Sequence, residues 1–158
     1  MSIITVGISD LAVSKAPDVI CTYALGSCVG ICLYDETKKI GGLVHIMLPS
    51  SKEAPHIHDN LKKFADTGIK MLVMEIERAG GNIRNLKAKI AGGAQMFSGV
   101  SSFNIGERNV KSVKQILCEM NIQIVADQTG DKIGRTVFFD TQTGMLEVKS
   151  ATRGTIVI

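Results

Sequence analysis

The stretch VGICLYDETKKIGGLVHIML, residues 29–48, decides how this chain folds. Two apolar runs, Val29 to Tyr34 and Ile40 to Leu48, flank the polar run Asp35-Glu36-Thr37-Lys38-Lys39, the pattern of two antiparallel strands joined by a turn. Pro49 ends the second strand. The pairing has a chemical consequence, because Cys28 stands just before the first strand and His45 lies within the second. With an even-numbered loop centred between Glu36 and Thr37, Cys28 pairs directly with His45 on one face, Cβ atoms about 4.5 to 5.5 Å apart. An odd-numbered loop puts them on opposite faces. A thiol beside an imidazole is the donor set of nucleophilic catalysis: the ring takes the thiol proton and later protonates a leaving amine.

Cys28 closes Leu25-Gly26-Ser27-Cys28, a tight-turn sequence at a strand edge, where backbone N–H groups can favour a thiolate and stabilise an oxyanion. A third group should orient the imidazole, as the acid does in serine proteases. No Asp or Glu adjoins either residue in these strands, and Thr22 on the preceding strand is the nearest side chain able to bond a ring nitrogen. Each residue also has a plain packing role open to it: Cys28 as a small core hydrophobe, His45 as a satisfied core histidine, Thr22 as a β-former.

Outward from this hairpin, Ile3 to Ile8 and Val19 to Tyr23 read as strands separated by a stretch carrying Pro17. From Asp59, a plausible N-cap, the positions Leu61, Phe64, Ala65, Gly68, Ile69, Leu72, Val73, Ile76 and Ala79 form a helical stripe, closed by Gly80-Gly81. Leu86 to Ala91 reads as a strand, Asn109 to Met120 as a second helix, and Ile122 to Ala126, Thr136 to Asp140 and Met145 to Val148 as the last strands. Hairpins outnumber βαβ units. The expected architecture is a single-domain layered α/β sandwich, with helices on a mixed or antiparallel sheet. A nucleotide fold is disfavoured: no GxGxxG follows a strand, and Gly92-Gly93 alone is weak.

The 158 residues suit one domain, 45 % apolar and 21 % charged, the profile of a globular chain. A net charge of +3, its lysines and arginines interleaved with acids, gives no basic patch for nucleic acid. No signal peptide or membrane span is visible, so a cytoplasmic, reducing compartment is expected, with Cys21, Cys28, Cys32 and Cys118 as free thiols. His56-Ile57-His58 invites a zinc reading, but the pattern is short, follows Pro55 and lacks a well-spaced third ligand.

Taken together, the residues resemble the CheD family of chemoreceptor glutamine deamidases. The matching stretches are Thr22-Tyr23-Ala24-Leu25-Gly26-Ser27-Cys28, Val44-His45-Ile46-Met47-Leu48-Pro49, Lys89-Ile90-Ala91-Gly92-Gly93-Ala94-Gln95-Met96-Phe97, Asn104-Ile105-Gly106-Glu107-Arg108-Asn109 and Gly134-Arg135-Thr136-Val137-Phe138-Phe139-Asp140. The resemblance implies a three-layer α/β fold similar to bacterial deamidating toxins and a triad of Thr22, Cys28 and His45. It also implies no cofactor, methyl-accepting chemoreceptors as substrate, and the phosphatase CheC as a partner whose activity is stimulated. In that mechanism the backbone N–H of Cys28 and the Ser27 hydroxyl hold the oxyanion. The segment Gln95 to Phe103, with Met96, Phe97 and Phe103, is the expected partner surface or, equally, a core plug. A non-catalytic CheC-binding protein is the competing class.

Overall fold

The computed structural model describes residues 1–53, 60–96 and 104–158. Among these, ten strands form two five-stranded sheets, with two α-helices. In chain order the strands are β1 (Ile3–Val6), β2 (Leu11–Lys15), β3 (Val19–Leu25), β4 (Val29–Asp35), β5 (Ile40–Ile46), β6 (Leu86–Gly92), β7 (Gln123–Thr129), β8 (Arg135–Asp140), β9 (Leu146–Ser150) and β10 (Gly154–Val157). The helices are α1 (Ala65–Arg78) and α2 (Ile105–Glu119). One sheet runs β1-β3-β8-β9-β10 and the other β2-β5-β4-β6-β7. Both are mixed: β1 joins β3, and β6 joins β7, in parallel, whereas the other neighbours are antiparallel.

The alternation of side chains along β4 and β5 builds the layers. Ile31, Leu33, Val44 and Ile46 face the helices and pack with Ile69, Leu72, Ile76, Val113 and Leu117. Cys32 and Leu43 face the other sheet and meet Ile20, Leu25, Val137 and Phe139. The hairpin strands are thus covered on both sides, which is why their sequence is an almost unbroken apolar run. Gly41 lies where the first sheet presses closest, and a Cβ there would be 2.6 Å from the Phe139 ring.

The layered α/β architecture agrees with the sequence, but the single sheet expected there is two. The missing strands are edge strands: β2 pairs with β5 from Leu11↔Val44 to Lys15↔Ile40, and β10 lies exposed beside β9. The hairpin register also differs. Gly30, not Cys28, lies opposite His45, and the strands close at Asp35↔Ile40. The shift is two residues, so parity is kept and Cys28 stays on the face of His45, one diagonal step away. The cause is Asp35, whose carboxylate accepts from Lys38 N at 3.0 Å and Asn82 N at 2.9 Å and so belongs to the strand, not the turn.

The α1 stripe is buried as expected at Ala65, Gly68, Ile69, Leu72, Val73 and Ile76, and Gly80 follows it at φ 110°. The proposed cap Asp59 lies outside the described residues. A separate 3-10 turn, Leu61–Lys63, capped by Asn60, precedes the helix. Helix α2 begins before Asn109, after Asn104 in a left-handed conformation. His56, His58, Phe97 and Phe103 also lie outside the described residues.

Candidate active site

Strand β3 brings Thr22 to the seam between the sheets. A bulge between Thr22 and Leu25, with Ala24 at φ 59°, leaves Tyr23 and Ala24 both exposed. The extra residue returns Leu25 to the interior and launches the bend at Gly26-Ser27-Cys28. Cys28 is half-buried and packs on the inter-sheet cluster. His45, from β5, is 0 % exposed, as is Thr22. The three sequence candidates therefore converge on the same seam, from two sheets.

The hydrogen bonds around Thr22 fix the state of the imidazole. Thr22 Oγ1 donates its one proton to the Val6 carbonyl at 2.7 Å. Its contact with His45 Nδ1, also 2.7 Å, must then be accepted from an Nδ1–H. The neutral ring consequently keeps its lone pair on Nε2, which is buried and has no partner among the described residues. Burial pushes the His45 pKa down to about 4. The Cys28 thiol is pushed up by burial, against the opposing influence of its own backbone N–H. Burial thus works against the thiolate that the turn's backbone donors favour. Alkylation of Cys28 by iodoacetamide should accordingly be slow at neutral pH and keep rising beyond pH 9, the ordinary thiol value. A plateau below neutrality would show an ion pair instead.

The bend is fastened from behind. Gly26 O accepts from Ala94 N at 2.8 Å and Cys28 O from Gly93 N at 2.8 Å. Gly92, at φ 106°, leaves no room for a side chain: a Cβ would lie 2.3 Å from Cys28 O. The Gly92-Gly93 pair, weak as a nucleotide signal, is the wall behind the Cys28 backbone. Gly92→Ala should displace Cys28 and lower any Cys28-dependent activity by about 10²-fold, the cost of a misplacement near 1 Å; an unchanged rate of Cys28 modification and turnover would refute that.

Two further residues went unassigned in the sequence. Asn109, on α2, is 0 % exposed and donates from Nδ2 to Ser27 O and Met47 O, each at 2.9 Å. Arg135 is buried and donates to Gly130 O at 2.9 Å, beneath the same glycine wall. Ser27 stands in the bend, where its carbonyl is the group that the structure holds. Cys21 and Cys32 are buried, and Cys118 is exposed on α2. Among the described residues no three His, Cys, Asp or Glu side chains gather as a metal site, and no helix is long and apolar enough to cross a membrane.

A two-sheet sandwich with one helical layer defines the class as a layered α/β protein, with Thr22, Cys28 and His45 gathered at its seam. The family model described as CheD chemotactic sensory transduction matches residues 47–150. The probable chemoreceptor glutamine deamidase CheD 1 of Methanosarcina acetivorans is 51 % identical, covering 99 % of this chain and 97 % of that protein. The probable chemoreceptor glutamine deamidases of Desulforamulus reducens and Pyrococcus horikoshii are 49 % and 43 % identical, over 93 % and 99 % of this chain and 90 % and 98 % of theirs. The chain belongs to the CheD family. In fold alone it is similar to the hypothetical protein YfiH of Bacillus licheniformis, at TM-score 0.51 and 16 % identity, over 78 % of this chain and 51 % of that one.

Proposed function

We propose that this protein is a protein-glutamine glutaminase that deamidates glutamine side chains of methyl-accepting chemoreceptors through a Cys28 thioester. The observation that carries the reading is the Thr22–His45 hydrogen bond, which leaves the Nε2 lone pair of His45 buried and without a partner among the described residues, on a side chain that shares a hairpin face with Cys28. His45 Nε2 takes the thiol proton as Sγ bonds to the amide carbon, in one motion, because neither group is charged at rest. The oxyanion is held by the Cys28 N–H, with the Ser27 hydroxyl as a second donor. His45 returns the proton to the nitrogen, ammonia leaves and the thioester remains. Water, losing a proton to His45, then attacks the thioester carbon; the C–S bond breaks, Cys28 recovers its proton and glutamate is released. No cofactor takes part.

The names of the relatives support the substrate class, and their shared length supports treating residues 1–158 as one deamidase domain. The reading places the protein in the cytoplasm, against the receptor's cytoplasmic helices, with CheC as second partner through Phe97 and Phe103. Incubation with a receptor cytoplasmic fragment, followed by peptide mass mapping, tests it: glutamine should become glutamate at discrete positions. No conversion by the purified protein would overturn the catalytic reading and leave CheC binding as its role.

Thr22→Val should lower kcat by about 10²-fold by freeing the ring tautomer and orientation, while Thr22→Ser, which keeps the hydroxyl, should stay near wild type. Equal losses in the two variants would remove Thr22 from the role of orienting group.

A further inference from the structure

The three carbonyls of the Gly26-Ser27-Cys28 bend are all held: Gly26 O by Ala94 N, Cys28 O by Gly93 N and Ser27 O by the side chain of Asn109. The first two donors are backbone and survive any substitution except proline. The third does not. Asn109 spends both Nδ2 protons on carbonyls, Ser27 O and Met47 O at 2.9 Å each, which assigns the amide orientation without ambiguity, since an Oδ1 there would face two acceptors. Its Oδ1 is left buried with no partner among the described residues. A buried acceptor left unpaired for two donations is a costly arrangement, and it calls for a reason.

The reason lies in peptide geometry. Ser27 C=O and Cys28 N–H belong to one planar trans unit and point in opposite directions. Asn109 pulls the carbonyl toward the helical layer, since α2 packs on that side of the second sheet. The Cys28 N–H is thereby turned toward the inter-sheet side, where the Cys28 side chain packs and where its N–H already lies close enough to act on the thiol. Through Met47 the same amide group anchors the strand end two residues beyond His45.

We propose that Asn109 is a positioning residue for deamidation: it locks the Ser27–Cys28 peptide so that Cys28 N–H faces the oxygen of the amide under attack. This rests on Cys28 being the nucleophile. An oxyanion donor serves the tetrahedral transition state and not the displacement reaction of a thiol with an alkyl halide, so the two reactivities should separate. Asn109→Ala should lower kcat for receptor deamidation by about 10²- to 10³-fold, the usual loss for one oxyanion donor, with KM little changed. Its rate of Cys28 alkylation by iodoacetamide should fall far less than kcat, because His45 and the thiol remain and only the pull of that N–H on the thiol is lost. Unchanged kcat would overturn the proposal. So would parallel loss of both rates, which marks a general collapse of the site. Should the alanine variant not fold, Asn109→Ser, which keeps one donor, should show a smaller kcat loss with the same separation, and wild-type turnover there would overturn it equally. A crystal structure of either variant reads the peptide directly without substrate. A Ser27–Cys28 unit in its original orientation sinks this inference whether or not the wild type deamidates, whereas an inactive wild type sinks only the catalytic reading.

Discussion

Cys28→Ala should abolish glutamine deamidation, by about 10⁴-fold or more, and leave the fold standing. The magnitude follows from removing the atom that forms the covalent bond, after which only binding and oxyanion donors remain. The fold should survive because Cys28 is half-buried at the margin of the inter-sheet cluster, and trimming one sulfur there costs about 1 kcal/mol. Cys21→Ala and Cys32→Ala, made at fully buried positions, should show the reverse: activity kept, stability reduced. Peptide mass mapping on a receptor fragment, alongside thermal unfolding, separates the two patterns. Deamidation near the wild-type rate in Cys28→Ala would refute the thioester mechanism.

His45→Gln should be as severe, because base and nucleophile act as one unit and their losses do not add. It should also remove an acid sensitivity from the folded protein. Burial holds the His45 pKa near 4, against an ordinary 6.5. Between these two values the unfolded chain binds a proton that the folded chain refuses. Stability therefore falls as pH falls through that window, by up to about 1.4 kcal/mol per pH unit. The lowered carboxyls of Asp10, Asp35 and Asp127, where hydrogen bonds overcome the upward push of burial, act in a more acid range, below an ordinary 3.8. The unfolding free energy of wild type minus that of His45→Gln, followed from pH 6.5 to about 4, should decrease as pH falls. A difference that does not change with pH would mean that the imidazole is not desolvated.

The candidate site residues were legible in the sequence because two of them are carried by the hairpin. Two long apolar runs around a polar turn leave few alternatives to a hairpin; its loop parity stayed open in the sequence, and the observed register, Gly30↔His45, is the one that keeps Cys28 and His45 on one face. The register was not legible, because it depends on Asp35 reaching Asn82 and Asn85, partners far along the chain. Nor was the second sheet, since β3 pairs with β8, a strand far along the chain. Edge strands such as β2 bury only part of each residue and leave a faint pattern. Asn109 did leave a signal: it shares the buried face of α2 with Gly106, Val113 and Leu117, a polar residue in an apolar stripe.

The hydrogen bond from His45 to Thr22 joins two different sheets. The candidate centre is therefore an interlock: hydroxyl on one plate, imidazole on the other, the thiol on the bend that links them, and the proposed chemistry needs both plates seated. Heat or denaturant that lets the plates slide, while every strand remains formed, would release the ring and stop turnover first. Inactivation should consequently precede the loss of the far-ultraviolet circular dichroism signal, and the gap between the two would measure how firmly the plates are bolted.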